Sequence, residues 1–135
     1  MRKAVYSERL RINGEEHEQT LVAANNYAWG LCHLRRFEEA KALMREIMPV
    51  ARRAFGESHE LTLKMSWIYA RALYSDADAT LDDLREAATT LEDSERTTRR
   101  VFGSAHPVVG AIGNFLRDAR AALRARETPP PTGDA

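Results

Sequence analysis

Gly14-Glu15-Glu16-His17-Glu18-Gln19-Thr20-Leu21 returns as Gly56-Glu57-Ser58-His59-Glu60-Leu61-Thr62-Leu63, 42 positions further on. A third copy opens at Gly103-Ser104-Ala105-His106-Pro107, 47 positions after the second. The residues leading into the later copies agree too: Ala51-Arg52-Arg53-Ala54-Phe55 against Thr98-Arg99-Arg100-Val101-Phe102. Self-similarity at such a period marks a stack of supersecondary units. The five extra residues of the second interval fall best around Ser75 to Thr80, since a loop tolerates them.

The repeated element reads as a helix end followed by a helix start. Glycine just past a helix accepts positive φ without a Cβ penalty. The arginine pairs before Gly56 and Gly103 place cations in a last helical turn, where the macrodipole favours them. Proline suits the first helical position, so Pro107 makes His106 an N-cap, and by alignment His17 and His59 cap the two earlier helices.

Between these turns the apolar residues follow a helical period. From Phe37 they run Ala40, Leu43, Met44, Ile47, Val50, Ala51, Ala54 and Phe55, one stripe over about five turns. Leu81, Leu84, Ala87, Ala88 and Leu91 continue the pattern, as do Val108, Ile112, Phe115, Leu116, Ala119 and Leu123. No stretch alternates as a strand does. The chain is therefore expected to be all-α, with helices over 1–13, 18–34, 37–55, 60–75, 80–102 and 107–126. The unit is a hairpin of an A helix and a B helix. Residues 1–13 form a trailing B helix without its A partner, 14–55 and 56–102 are full repeats, 103–127 is a terminal A-type cap, and 128–135 is a Pro-rich tail expected to be disordered.

Composition narrows the function. Lys plus Arg and Asp plus Glu both number 20, a balance unlike that of proteins built to bind the nucleic-acid backbone. Cys32 is the single cysteine, so neither an internal disulfide nor a cysteine-rich metal site can form. No run approaches the ~20 apolar residues of a membrane span, and the first residues lack the apolar core of a signal peptide. A soluble, cytoplasmic protein is expected. The three turn histidines lie a repeat apart, too far to share one ion at ~2 Å bonds. His59-Glu60 opens like a zinc-protease signature, but position 63 is Leu. No phosphate-binding glycine loop and no nucleophile–base set is present, so neither a cofactor nor catalysis is expected.

Asn25-Asn26-Tyr27-Ala28, then Leu31, then Arg36-Phe37-Glu38-Glu39-Ala40 and Leu43, resembles the tetratricopeptide repeat of kinesin light chains. The resemblance spans roughly 14–126 and is strongest in the first repeat and the turns. The second repeat has Trp67-Ile68-Tyr69-Ala70 in place of the asparagine signature, and the third keeps only Asn114. Arg35 stands where the family has glycine before the B helix. The resemblance implies a right-handed α-solenoid of about six helices. It further implies that asparagines at this point of an A helix face a concave groove and hold a ligand's backbone, in grooves that take peptides with tryptophan and acidic residues.

Small residues mark the close crossings independently of any family. Ala28 with Ala40, and Ala70 with Ala87, sit where hairpin helices must approach to ~8–10 Å. On the face that would line a groove lie Asn25, Asn26 and Trp29 of the first A helix, Lys64, Trp67 and Arg71 of the second, and Asn114 of the third. Indole, amide and cation together suit a protein-binding surface. The alternatives are that the asparagines only bond between helices and the tryptophans only pack between repeats. The leading expectation is a non-catalytic interaction module for a peptide or partner segment, with acidic character favoured by Lys64 and Arg71. The alternative is a structural subunit or fragment of a larger helical array. Phe115, Leu116 and Leu123 are expected on an incompletely covered stripe that drives self-association through the terminal helices.

Overall fold

The computed structural model describes residues 2–127; Met1 and the tail at 128–135 lie outside the described residues. Six helices follow in order: α1 Arg2–Asn13, α2 Glu18–His33, α3 Phe37–Phe55, α4 Glu60–Ser75, α5 Leu81–Phe102 and α6 Pro107–Glu127. No strand occurs among the described residues. Each helix packs on the next, and α2, α4 and α6 also touch one another in sequence. By contrast, the backbones of α1, α3 and α5 stay more than 8 Å apart, Cα to Cα. Close approach in one row and separation in the other bends the stack, with the A helices α2, α4 and α6 inside. This is a helical-repeat solenoid of the tetratricopeptide type.

The turns work as the repeats predict. Gly14, Gly56 and Gly103 take φ of +84, +88 and +83°. A Cβ at any of them would meet nothing within 4 Å, so backbone conformation and not space demands glycine there. Nδ1 of His17, His59 and His106 accepts from the N–H of Gln19, Leu61 and Val108, each at 3.1 Å. Two of the rings also lie on the phenylalanine four residues back, His59 on Phe55 at 4.8 Å and His106 on Phe102 at 4.7 Å. Arg53 ties the end of α3 to the first turn through Glu16 at 3.1 Å and Glu15 at 3.6 Å.

The core runs between the two rows. Ala28, Ala40, Ala70 and Ala87 have no exposed surface, which places them at the helix crossings. α4 is buried on both sides, with Leu63, Ala70 and Leu73 on one and Met65, Ile68, Tyr69 and Ala72 on the other. Only a middle helix needs two apolar faces. α3 continues through Pro49, which sits on the exposed side where water can reach the carbonyl its ring leaves unpaired.

Two expectations are corrected in detail. The five extra residues do not all enter the α4–α5 loop. That loop exceeds the α2–α3 loop by two residues, and α5, at 22 residues against 19 for α3, takes the rest at its start. Thr80 and Asp83 form a capping box that sustains this added turn. The charged run Glu92-Asp93-Ser94-Glu95-Arg96 is split between core and solvent: Ser94 is buried against the stack, while Asp93 and Arg96 pair outside. Leu116, expected on an open stripe, is 2% exposed, and the solvent-exposed residues beside it on α6 are Asn114, Arg117 and Asp118.

Candidate functional site: the inner face

Residues 42 apart occupy equivalent places, so the inner row can be built by register. Asn25 of α2 corresponds to Trp67 of α4, and Trp67 to Asn114 of α6, one position before Phe115. Likewise Trp29 corresponds to Arg71. Adjacent A helices therefore present unlike side chains at like positions, and these interlock. The Arg71 guanidinium lies 4.6 Å from the Trp29 ring centroid. Trp67 packs on Phe115 at 5.7 Å with 31° between planes. Trp29 meets the same Phe115 edge-on at 6.5 Å, and His33 edge-on at 5.0 Å. Both separations lie within the range in which aromatic pairs attract.

Phe115 thus joins α2 to α6 across α4. The sequence stripe alone leaves it poorly covered at the chain's end; the register does not separate the alternatives, since its equivalents are the buried Ile68 and the exposed Asn26. Trp29, Trp67 and Phe115 remain half-exposed, so the cluster packs the repeats together and also offers a face to solvent.

The polar candidates divide. Arg71 belongs to the cluster. Lys64 stands one turn away from it and pairs with Glu60 at 3.5 Å on the same helix. Asn26 and Asn114 are exposed. The Asn25 Oδ1 is buried and accepts no hydrogen bond, so Asn25 does not bond between the helices. A buried amide oxygen without a donor is an unspent acceptor in the floor of the inner face.

Charge is tuned beside the cluster. Burial, with the negative charge of Asp118, pushes the Tyr74 phenol up to about 12, against the pull of Arg71. Burial also raises the Cys32 thiol, again opposed by Arg71. Cys32 is thus a protonated packing residue beneath the arginine and not an activated nucleophile. A second buried charge lies away from the site. Burial alone would lower the Lys41 ammonium, but its hydrogen bond to Glu38 at 2.7 Å and the charge of Asp76 outweigh this and raise it. The irregular α4–α5 loop supplies Asp76, so that departure from the repeat is built around Lys41.

No helix among the described residues is long and apolar enough to cross a membrane. No curated protein and no solved structure matches the chain. Residues 20–60, which span α2, α3 and the turn into α4, match the tetratricopeptide repeat family model, and with the six-helix solenoid this supports a tetratricopeptide repeat protein.

Proposed function

We propose that the chain is a non-catalytic interaction module whose inner face holds an extended peptide or partner segment. Tetratricopeptide repeats generally mediate protein–protein interaction. The observation that carries the finer reading is the half-exposed cluster of Trp29, Trp67, Phe115 and Arg71, contributed by all three A helices. Aromatic rings and arginine in one patch are what binding hot spots are made of. The unspent Asn25 Oδ1 sits one turn before Trp29 on α2, and the exposed amides of Asn26 and Asn114 both donate and accept. Such groups suit a peptide backbone. Arg71 and Lys64 favour acidic side chains. The kinesin light chain type of repeat, read from Asn25-Asn26-Tyr27-Ala28 and Arg36 to Ala40, agrees with an acidic peptide and with work in the cytoplasm.

Selection from a displayed peptide library tests this. Peptides enriched on the wild-type chain should be acidic and should lose binding on Trp67→Ala and Arg71→Glu. Enrichment that survives both substitutions would remove the inner face as the site.

A structural role is favoured by one separate feature. α1 has no buried residue and leaves Val5, Leu10 and Ile12 exposed at 48, 39 and 57%. Val5 and Ile12, seven positions apart, share one face of α1, and exposed apolar residues there suit a further helical surface. A chain that stays monomeric in sedimentation at millimolar concentration would exclude self-association through it.

A further inference from the structure

On the outer side, α3 and α5 stand apart and α4 forms the floor between them. The resulting groove has a volume of about 440 Å³. Arg52 of α3 forms one wall, and Thr90, Arg96 and Arg100 of α5 the other, with Thr62 and Ser66 of α4 below. Glu57 and Asp93 also line it, but Asp93 is taken by Arg96.

Arg52 and Arg100 have no ion-pair partner among the described residues, whereas their neighbours Arg53 and Arg99 are paired with Glu15, Glu16 and Glu95. The Thr62 residue is 2% exposed, and its Oγ1 has no hydrogen-bond partner. Thr62 is the third residue of α4, so the groove floor is also the positive end of that helix. Arg52 and Arg100 on opposite walls, the spare Thr62 hydroxyl and the helix N-terminus line one groove, against the single carboxylate of Glu57, which has no ion-pair partner among the described residues. A carboxylate has two oxygens, which one arginine can satisfy. A tetrahedral phosphoryl group has three free oxygens and up to two negative charges, and it uses the whole set.

We propose that this outer groove binds the phosphoryl group of a phosphate monoester, held between Arg52 and Arg100 with the Thr62 hydroxyl as a further donor. A second hollow of about 240 Å³ shares Arg52 and Thr90 with the groove and is lined further by Met44, Arg45, Met48, Pro49, Tyr69 and Glu86. The site lies on the opposite side of α4 from the inner face and does not depend on peptide binding there.

The test is an NMR titration of the full chain at fixed ionic strength with inorganic phosphate, a phosphoserine peptide and its unphosphorylated counterpart. Saturable shifts are expected at the amides of Thr62, Ser66 and Ser94 and at the side-chain N–H of Arg52 and Arg100. Arg52→Gln and Arg100→Gln should each weaken binding roughly tenfold, and Arg53→Gln no more than about twofold. Thr62→Val should weaken binding without lowering the urea midpoint, since it removes a hydroxyl that has no partner. A phosphopeptide that binds more tightly than phosphate identifies the source as a modified protein segment. Phosphate binding with no gain from the peptide identifies a small phosphate ester. Shifts that never saturate, or that fall equally in Arg53→Gln, overturn the site.

Discussion

Arg71 of α4 lies with its guanidinium carbon 4.6 Å from the ring centroid of Trp29 on α2. The two occupy the same position of successive repeats, so the stack sets a cation on the indole one repeat before it. A cation over an indole is worth ~0.5–1 kcal/mol at a partly exposed site. Arg71→Glu should therefore lower the unfolding free energy of the free chain by about that amount. An acidic ligand should lose roughly 1–3 kcal/mol from the same change, with a flatter salt dependence. Trp67→Ala should cost binding at least ~2 kcal/mol if the indole is a hot spot. Urea unfolding beside calorimetric titration with a selected peptide separates the two effects. Equal losses in both would mean that Arg71 acts on the fold alone.

Ala70 has no exposed surface where α4 crosses its neighbours. Ala70→Leu should overpack that crossing and destabilise by about 1–3 kcal/mol. Arg53→Lys should matter much less, because exposed ion pairs are worth ~0–1 kcal/mol. An unchanged urea midpoint for Ala70→Leu would show that the crossing has room to spare.

What the sequence discloses and what it conceals divide along the repeat. Everything that recurs is legible: the turn glycines, the three histidine caps, the alanines at the crossings and the register of the A helices. Each follows from a backbone or spacing requirement that holds in every copy. What does not recur is hidden. Lys41 and Asp76 lie 35 positions apart and meet only because the irregular α4–α5 loop folds over α3. Phe115 reads as a terminal apolar residue, yet curvature of the inner row carries it to Trp29 on α2. Curvature belongs to the whole stack, and no local pattern encodes it. The inner-face residues are legible because they share a stripe. The outer groove is not, because its residues come from three helices with no common period.

Among the described residues, Arg35 carries the one positive φ outside glycine, at +58°. The turn is a helix stop in which the Arg36 N–H donates to Leu31 O at 2.8 Å and the Arg35 N–H to Cys32 O at 3.0 Å. A left-handed residue with a Cβ costs ~1–2 kcal/mol. Arg35 recovers part of this through its guanidinium, 5.9 Å from the Phe37 ring centroid. Arg35→Gly should raise stability by about 0.5–1 kcal/mol, with the added freedom of the unfolded glycine limiting the gain. Thermal unfolding of the two chains decides it: a lower midpoint for the glycine variant would assign more weight to the arginine–phenylalanine contact than to the strain.

Tyr74 supplies an alkaline signature. Burial and the nearby Asp118 raise its phenol from 10.0 to about 12, while Arg71 pulls the other way. Between those two values the unfolded chain loses this proton and the folded chain keeps it. The folded state then binds more protons, so stability must fall as pH rises. The contribution is fully present below pH 10.0 and disappears by about 12. Tyr6 and Tyr69 are raised by burial as well, and they add to the same slope. Tyr74→Phe isolates one member of the set. Its urea midpoint should fall less steeply through this window than that of the wild type, and the late part of the tyrosinate absorbance change should be missing. Asp118→Asn, which removes a neighbouring negative charge, should move that late ionisation to lower pH. Arg71→Gln should move it the other way. If the two shifts have the same sign, the phenol does not sense both charges, and Tyr74 does not stand between α4 and α6 beside the cluster.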